Sequence, residues 1–382
     1  MKLIYIANIR IPNERAHSLQ VMKMCEVFAS LGHEVELIVP YLDKKTSPFA
    51  YYGVGETFFI RNIPSLGNPA LGKKNYWLNS LSFAFFVNIY LLWIKLTTKK
   101  NIVIYTRGDS VLFLGLIAKF VWPIFWETHS KPNRLLRRYL SFANKACGVI
   151  TVTDFYRREL EDVYKLKTKV LWAPDGVTFE EMNISMSKAD ARRELLLPVD
   201  KKIVLYTGSF YTYEYKGVDI LLAAAVLLPS DYLLVLIGGT RPEIEKIERE
   251  NNTTNIVLVP HISHIQVAKY LAVADVLVLP NKKGDETSEK YTSPMKLFEY
   301  MAARRPIVCS DLGSLKEILD ESSAYIFKAN DFKDLARVII ESLDDVSEAD
   351  RRAERAFELS KQYTWLKRAE NISNFINSQL FK

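Results

Sequence analysis

The sequence predicts an α/β protein of two doubly wound domains, each a parallel sheet with helices on both faces. Three observations predict it. Apolar runs with strand character alternate with helical patterns from one end of the chain to the other, which suits parallel sheets buried on both sides. The pattern runs twice, before and after a polar, charged stretch near residues 173–200 that Pro174, Asp175 and Gly176 introduce. The length, 382 residues, is enough for two cores of ordinary size.

In the first half, strands are expected near 2–7, 34–39, 57–60, 102–105, 124–127, 148–152 and 169–172. The first, Leu3-Ile4-Tyr5-Ile6-Ala7, runs into a loop, Asn8 to Ala16. A helix from about His17 to Leu31 follows, stopped by Gly32. The loop holds Pro12 and no glycine, which excludes the dinucleotide fingerprint. It still lies at the ligand edge of a doubly wound sheet, so Arg10, Asn13, Arg15 and His17 are candidates for substrate contact. The alternative is a solvated basic loop.

Residues 77–98 are the most apolar stretch, with Trp77, Leu81, Phe85, Phe86, Ile89, Leu92 and Trp93 among them. The length approaches a membrane span. Asn79, Ser80, Ser82 and Asn88 interrupt it and a strand follows at Ile102, so a buried or half-buried helix is the better reading. Its aromatics, with flanking Lys73, Lys74, Lys95, Lys99 and Lys100, also suit contact with a membrane surface.

The strand at 124–127 leads into Glu127-Thr128-His129. Both ionisable residues sit at a strand's carboxyl end, the functional edge of such sheets, which favours a site role for His129 over that of a structural histidine. Lys131, Arg134, Arg137 and Arg138 then form a basic segment.

In the second half, strands are expected near 203–207, 233–237, 255–259, 276–279, 307–309 and 324–327. Tyr206-Thr207-Gly208-Ser209-Phe210 ends the first of these. A short loop leads to Lys216-Gly217 and a helix from about Val218. This is the first strand–loop–helix of the domain, a usual ligand position, where Lys216 could neutralise a phosphate; taken alone, a surface lysine is the commoner reading.

The most informative stretch is Tyr291 to Met301. Ser293 reads as an N-cap and Pro294 as the first helical residue. The unpaired amides and dipole of a helix start favour an anion, and Lys296 adds a full positive charge where cations are normally unfavourable. Glu299 lies one turn deeper on nearly the same face, placed to accept two ribose hydroxyls. The alternative is a capped surface helix with a Lys–Glu pair. Ser314 and Glu317 read as a capping box, and Tyr363 to Leu380 as an amphipathic helix.

Hydrophobic content of 49% and charged content of 25% are ordinary for a globular chain. Cys25, Cys147 and Cys309 are scattered and odd in number. They suggest no disulfide framework and no metal site, and point to a reducing compartment. Met1 to Ala7 lacks the shape of a signal peptide. Residues 1–170 carry 24 Lys/Arg and 12 Asp/Glu, a balance of +12. Residues 171–382 carry 27 and 32, a balance of −5. A basic first half suits anionic surfaces or substrates.

Taken together, these residues resemble the glycosyltransferases of family 4, with the GT-B fold. The resemblance covers nearly the whole chain. In the first half it rests on Gly32-His33-Glu34-Val35, Glu127-Thr128-His129 and Ala173-Pro174-Asp175-Gly176-Val177. In the second it adds Thr207-Gly208, Lys216-Gly217, Ala274-Asp275-Val276-Leu277-Val278-Leu279-Pro280 and, most specific, Ser293 to Ala302.

The resemblance implies two Rossmann-like domains facing a central cleft. An acceptor-side domain would cover 1–172, a nucleotide-sugar domain 173–362, and a helix at 363–382 would cross back to the first. It implies retaining transfer from a nucleotide diphosphate sugar, without a required metal or cofactor. The donor would meet Gly208, Ser209, Lys216, His261, Ser293, Pro294, Met295, Lys296 and Glu299. The acceptor side would hold Arg10, Asn13, Arg15, His17, Arg107 and Glu127, with His129, Lys216 and Glu299 as the catalytic set.

The expected acceptor is a glycan or lipid-linked precursor of a cell-surface polysaccharide or glycolipid. The expected location is the cytoplasm, with peripheral attachment to an anionic inner membrane face left open. No nucleic-acid partner is expected. Two departures stand out. The family often has a second glutamate eight positions before Glu299, where Tyr291 stands here, with Glu286 and Glu289 out of register. An arginine common after the Thr-Gly turn is replaced by Ser209 and Phe210. They support the alternative reading, a GT-B-like binding or scaffolding subunit without turnover. A nucleotide-sugar epimerase or phosphorylase is disfavoured because neither motif appears.

Overall fold

The computed structural model describes residues 1–43, 45–67, 72–98, 100–107, 122–129, 136–210, 214–250 and 255–380, without the side chains of 73 and 136–138. Lys99, Lys131 and Arg134 lie outside the described residues, as do the side chains of Lys73, Arg137 and Arg138. The chain divides into two compact units, Met1–Pro174 with Trp365–Lys382, and Asp175–Thr364.

Unit 1 contains β1 (Lys2–Ala7), β2 (Arg10–Ile11), β3 (Glu34–Val39), β4 (Tyr41–Leu42), β5 (Phe59–Asn62), β6 (Ile102–Arg107), β7 (Ile124–Thr128), β8 (Gly148–Thr151) and β9 (Val170–Trp172). Seven form a sheet in the order β5-β3-β1-β6-β7-β8-β9, parallel at every pairing. Leu3, Ile4, Tyr5 and Ile6 are all fully buried. A strand covered on both faces needs no alternation of polar and apolar residues, which is why these strands read as continuous apolar runs. The strand order reverses between β1 and β6, so the carboxyl ends at Ala7 and Arg107 lie side by side. That reversal is where ligands of open α/β sheets bind. The β2–β4 pair is absent from the sequence reading, because two residues carry no periodicity.

The C-terminal helix, Trp365–Leu380, packs on the helix Ala16–Ser30 and on β8. Phe375 meets Phe125 edge-on at 6.0 Å between ring centres. Gly148 of β8 makes room for this packing: a Cβ there would lie 2.5 Å from the Phe375 ring. The apolar stretch forms one helix, Lys73–Thr97, with one side buried on unit 1.

Unit 2 contains β10 (Lys202–Thr207), β11 (Tyr232–Gly239), β12 (Ile256–Pro260), β13 (Val276–Leu279), β14 (Ile307–Ser310) and β15 (Tyr325–Phe327). They form a parallel sheet in the order β12-β11-β10-β13-β14-β15. Alternate residues of β10 enter different cores. Ile203 and Leu205 join one apolar cluster, and Val204 and Tyr206 the other. Each buried Val, Leu or Ile contributes about 1.5–3 kcal/mol. The order reverses between β10 and β13, beside Gly208 and Pro280. The expected capping box does not form. The helix Gly313–Lys316 has Leu312 at its N-cap, and the Ser314 hydroxyl instead donates to the Ser288 carbonyl at 2.6 Å.

Candidate functional site

In unit 2 the site grows from the β10–β13 reversal. Beyond Thr207 the chain turns at Gly208, whose φ of +128° favours glycine. A Cβ there would lie 2.9 Å from Lys296 Nζ. The glycine thus lets the lysine approach the turn. The helix carrying that lysine, Met295–Ala302, is tied to β10 because the Tyr300 hydroxyl accepts from the Thr207 amide at 2.8 Å. Gly217 (φ +70°) does the same for Lys216: a Cβ there would fall 1.8 Å from the Pro280 carbonyl oxygen. The Lys-Gly pair therefore sets a lysine-bearing turn against the end of β13.

Lys216 Nζ donates to Ser209 Oγ at 2.8 Å. Lys296 is half-buried as a residue, but its Nζ is covered and has no hydrogen-bond acceptor among the described residues. That ammonium lies 3.8 Å from the centre of the Tyr206 ring, a cation–π contact. Burial, and then the Lys216 charge, hold Lys296 well below the usual lysine range, with Glu299 acting the other way. Burial draws Lys216 down to about 8, with Glu243 opposing. Two lysines held below their usual range, beside a helix start with no acid in its first turn, suit an anion.

The surface-pair alternative fails here. Glu299 is buried, and its Oε1 bonds His264 Nε2 at 2.9 Å. His264 Nδ1 in turn lies 3.9 Å from Glu181. Ser293 is not the cap: Pro294 holds that position, and Ser293 Oγ accepts from the Asp175 amide at 3.1 Å. Met295 opens the helix with its first amides uncapped by any side chain. His261 is exposed just past β12, its amide on the Gly239 carbonyl at 3.2 Å, and no hydrogen bond joins its side chain to the lysines or Glu299 among the described residues. The histidine that reaches Glu299 is His264, which the sequence reading missed.

Both departures from the family pattern are packing positions. Phe210 is buried, and a Cβ at Gly239 would meet its ring at 2.2 Å. Tyr291 is buried. Glu286 pairs with Lys290 at 3.1 Å and Glu289 accepts from the Gly284 amide at 2.6 Å, so neither supplies a second carboxylate beside Glu299.

In unit 1 a second cluster forms at the β1–β6 reversal. Glu127 is fully buried at the end of β7. It accepts from Gln20 Nε2 at 2.9 Å and from the Tyr105 hydroxyl, bonds His129 Nε2, and pairs with Arg368 of the C-terminal helix at 3.1 Å. Burial alone would raise its pKa, but Arg368, His129 and Arg107 outweigh burial and hold it well below the usual range. Arg107 donates to the His17 carbonyl at 3.2 Å, to Gln20, and to His129 Nδ1 at 3.2 Å. Both ring nitrogens of His129 are therefore taken. Burial first, then Arg107, Arg15 and His129, push His17 down to about 3.

The structure thus brings His17, Arg107, Glu127 and His129 together. Arg10, Asn13 and Arg15 stay apart in the loop. Asn13 builds its turn, with Oδ1 accepting from the Arg15 amide at 2.8 Å and its main chain on the Tyr52 hydroxyl at 2.7 Å. Arg10 and Arg15 are exposed, Arg10 over the Tyr41 ring. Gln20 and Arg368 carry no local sequence signal. Among the described residues no group of three or more His, Cys, Asp or Glu is arranged to hold a metal.

Residues 201–345 match the profile of the glycosyl transferases group 1. A curated relative, an uncharacterized glycosyltransferase of Methanocaldococcus jannaschii, is 28% identical over 221 residues, 57% of this chain and 56% of that protein. The matched stretch is thus little more than half of that relative. The sucrose-phosphate synthase of Thermosynechococcus elongatus superposes with a TM-score of 0.78 at 20% identity, covering 100% of this chain and 99% of that one. Anabaena HepE, solved in complex with UDP, superposes with a TM-score of 0.77 at 14% identity, covering 99% and 100%. The fold is GT-B.

Proposed function

We propose that this chain, a GT-B protein whose residues 201–345 are a group 1 glycosyl transferase domain, moves a sugar from a nucleotide diphosphate donor to an acceptor with retention at the anomeric carbon. The observation that carries this reading is the covered ammonium of Lys296, without a hydrogen-bond acceptor among the described residues, beside Lys216 at the Gly208 turn. A diphosphate there would restore both lysines to full charge and accept from the uncapped amides of Met295–Ala302. Glu299, held by His264 through one oxygen, keeps acceptor capacity for ribose hydroxyls. HepE was solved with UDP, which supports the same ligand class here.

The leaving diphosphate gains charge as the glycosidic bond breaks. Preformed cations and a helix dipole stabilise it without reorganising, and in this reading they replace a metal. The unit 1 cluster would serve the acceptor, a glycan or lipid-linked precursor. With its nitrogens bound to Glu127 and Arg107, His129 would contribute a fixed orientation before any proton transfer.

The test is a panel of nucleotide diphosphates and their sugars, read by thermal shift and by calorimetry. At least one should stabilise the protein, and Lys216→Met with Lys296→Met should abolish the shift. No stabilisation by any of them overturns the reading. Buried Tyr291, in place of a carboxylate, favours one second reading, binding without turnover. Tight binding with neither transfer nor donor hydrolysis would select it.

A further inference from the structure

The helix Lys73–Thr97 buries a mixed face, with Phe83, Val87, Leu91 and Ile94 beside several polar residues, and exposes a row of large apolar side chains. Asn79, Ser80, Ser82 and Asn88 are buried, with Ser80 accepting from Asn8 at 3.1 Å and Asn88 donating to the Ala84 carbonyl at 2.9 Å. On the opposite side Trp77, Leu81, Phe85, Ile89, Trp93 and Leu96 are exposed, from 41% to 86%. The first five recur every fourth residue, so they form one ridge. At 1.5 Å per residue it is about 24 Å long. Contiguous exposed apolar surface of this size marks a partner or a membrane.

Charge selects between them. From Thr57 to Gly108 the chain carries seven basic residues and no acidic one. Lys74 is exposed at one end of the helix and Lys100 just beyond the other, the latter paired with Glu34. Two copies meeting along this ridge would set like charge against like. A sheet of anionic headgroups over buried acyl chains satisfies both the lysines and the aromatics.

The helix is long and apolar enough to cross a bilayer. Its inward face is packed into its own unit through Phe83, Val87, Leu91 and Ile94 and the Asn8–Ser80 bond, so it would lie in the plane of the interface rather than across it.

We infer that the outer face of Lys73–Thr97 is a membrane-docking surface for anionic lipid. The inference does not depend on sugar transfer.

The full chain is sedimented with vesicles of phosphatidylcholine, alone or mixed with phosphatidylglycerol, at low and high salt. Binding is expected with the anionic vesicles and should fall with salt. Phe85→Glu with Trp93→Glu should weaken it at least tenfold while circular dichroism and nucleotide diphosphate binding stay unchanged, and Lys74→Glu should weaken it less. Brominated lipid should quench the fluorescence of the unsubstituted chain, and Trp93→Phe should remove part of that quenching. This second readout stands even if the charged variants misfold. Equal recovery in the supernatant with and without anionic vesicles, or absence of quenching, overturns the inference. So does a dimer that the double substitution dissociates in a chain that binds no vesicles.

Discussion

Glu127 and Arg368 meet at 3.1 Å inside unit 1, one at the end of a central strand and the other on the C-terminal helix, and both are buried. The pair holds the helix to the strand whose end also carries His129. Removing one partner of a buried pair leaves a charge without compensation and costs about 3–5 kcal/mol. Arg368→Ala should therefore lower the denaturant midpoint strongly. Glu127→Gln combined with Arg368→Met should cost less than Arg368→Ala alone, and an additive loss in the double variant would refute the coupling.

The same cluster predicts an acid limb. His17 is pushed down to about 3 when folded, against about 6.5 unfolded, so the unfolded chain binds the proton first. Stability from this group is present above pH 6.5 or so and is lost as pH falls toward 3. Glu127, also depressed, adds loss below its unfolded value of about 4.3. Melting temperatures from pH 7 to 4.5 should decline, and His17→Gln should flatten that decline. An unchanged slope in the variant would remove His17 from the account.

Diphosphate binding should depend on alkaline pH. Free Lys216 titrates near 8, and an anion beside it favours the charged form. Affinity for a nucleoside diphosphate should fall as pH rises through 8, and binding at pH 8 should take up protons, seen by calorimetry in buffers of different ionisation enthalpy. Lys216→Met should reduce the uptake, leaving only what Lys296 contributes, and weaken the diphosphate far more than the nucleoside. Equal weakening of both would place the lysine elsewhere.

Glu299→Ala should weaken the nucleotide at least tenfold in a folded protein, since a hydrogen bond to a charged group contributes about 1.5–3 kcal/mol. His264→Ala should weaken it less, by freeing the carboxylate to reorient. If His264→Ala is silent while Glu299→Ala is not, the 2.9 Å bond between them has no positioning role.

Gly217→Ala combines a φ of +70° with a Cβ 1.8 Å from the Pro280 oxygen. It should destabilise unit 2 by more than about 1 kcal/mol and weaken diphosphate binding by shifting Lys216. A variant with unchanged melting temperature would contradict the geometry.

Much of this protein is determined by its sequence alone. Continuous apolar strands such as Leu3–Ile6 and Val276–Leu279 specify parallel sheets, because only a strand covered on both faces tolerates them. Lys216-Gly217 and Lys296 with Glu299 raise the expectation of an anion and hydroxyl site, because their spacing is local to one turn or one helix. The same locality misplaced the cap at Ser293, whose hydroxyl accepts from Asp175 instead. His264, which holds Glu299, carries no such local signal.

Only the tertiary structure decided that Lys296 has no hydrogen-bond acceptor among the described residues, that Arg368 and Gln20 serve Glu127, and that the long apolar helix turns most of its aromatics outward. Each depends on what residues distant in the chain place beside a side chain. Burial and pairing are properties of that three-dimensional neighbourhood, and periodicity along one segment carries no record of it.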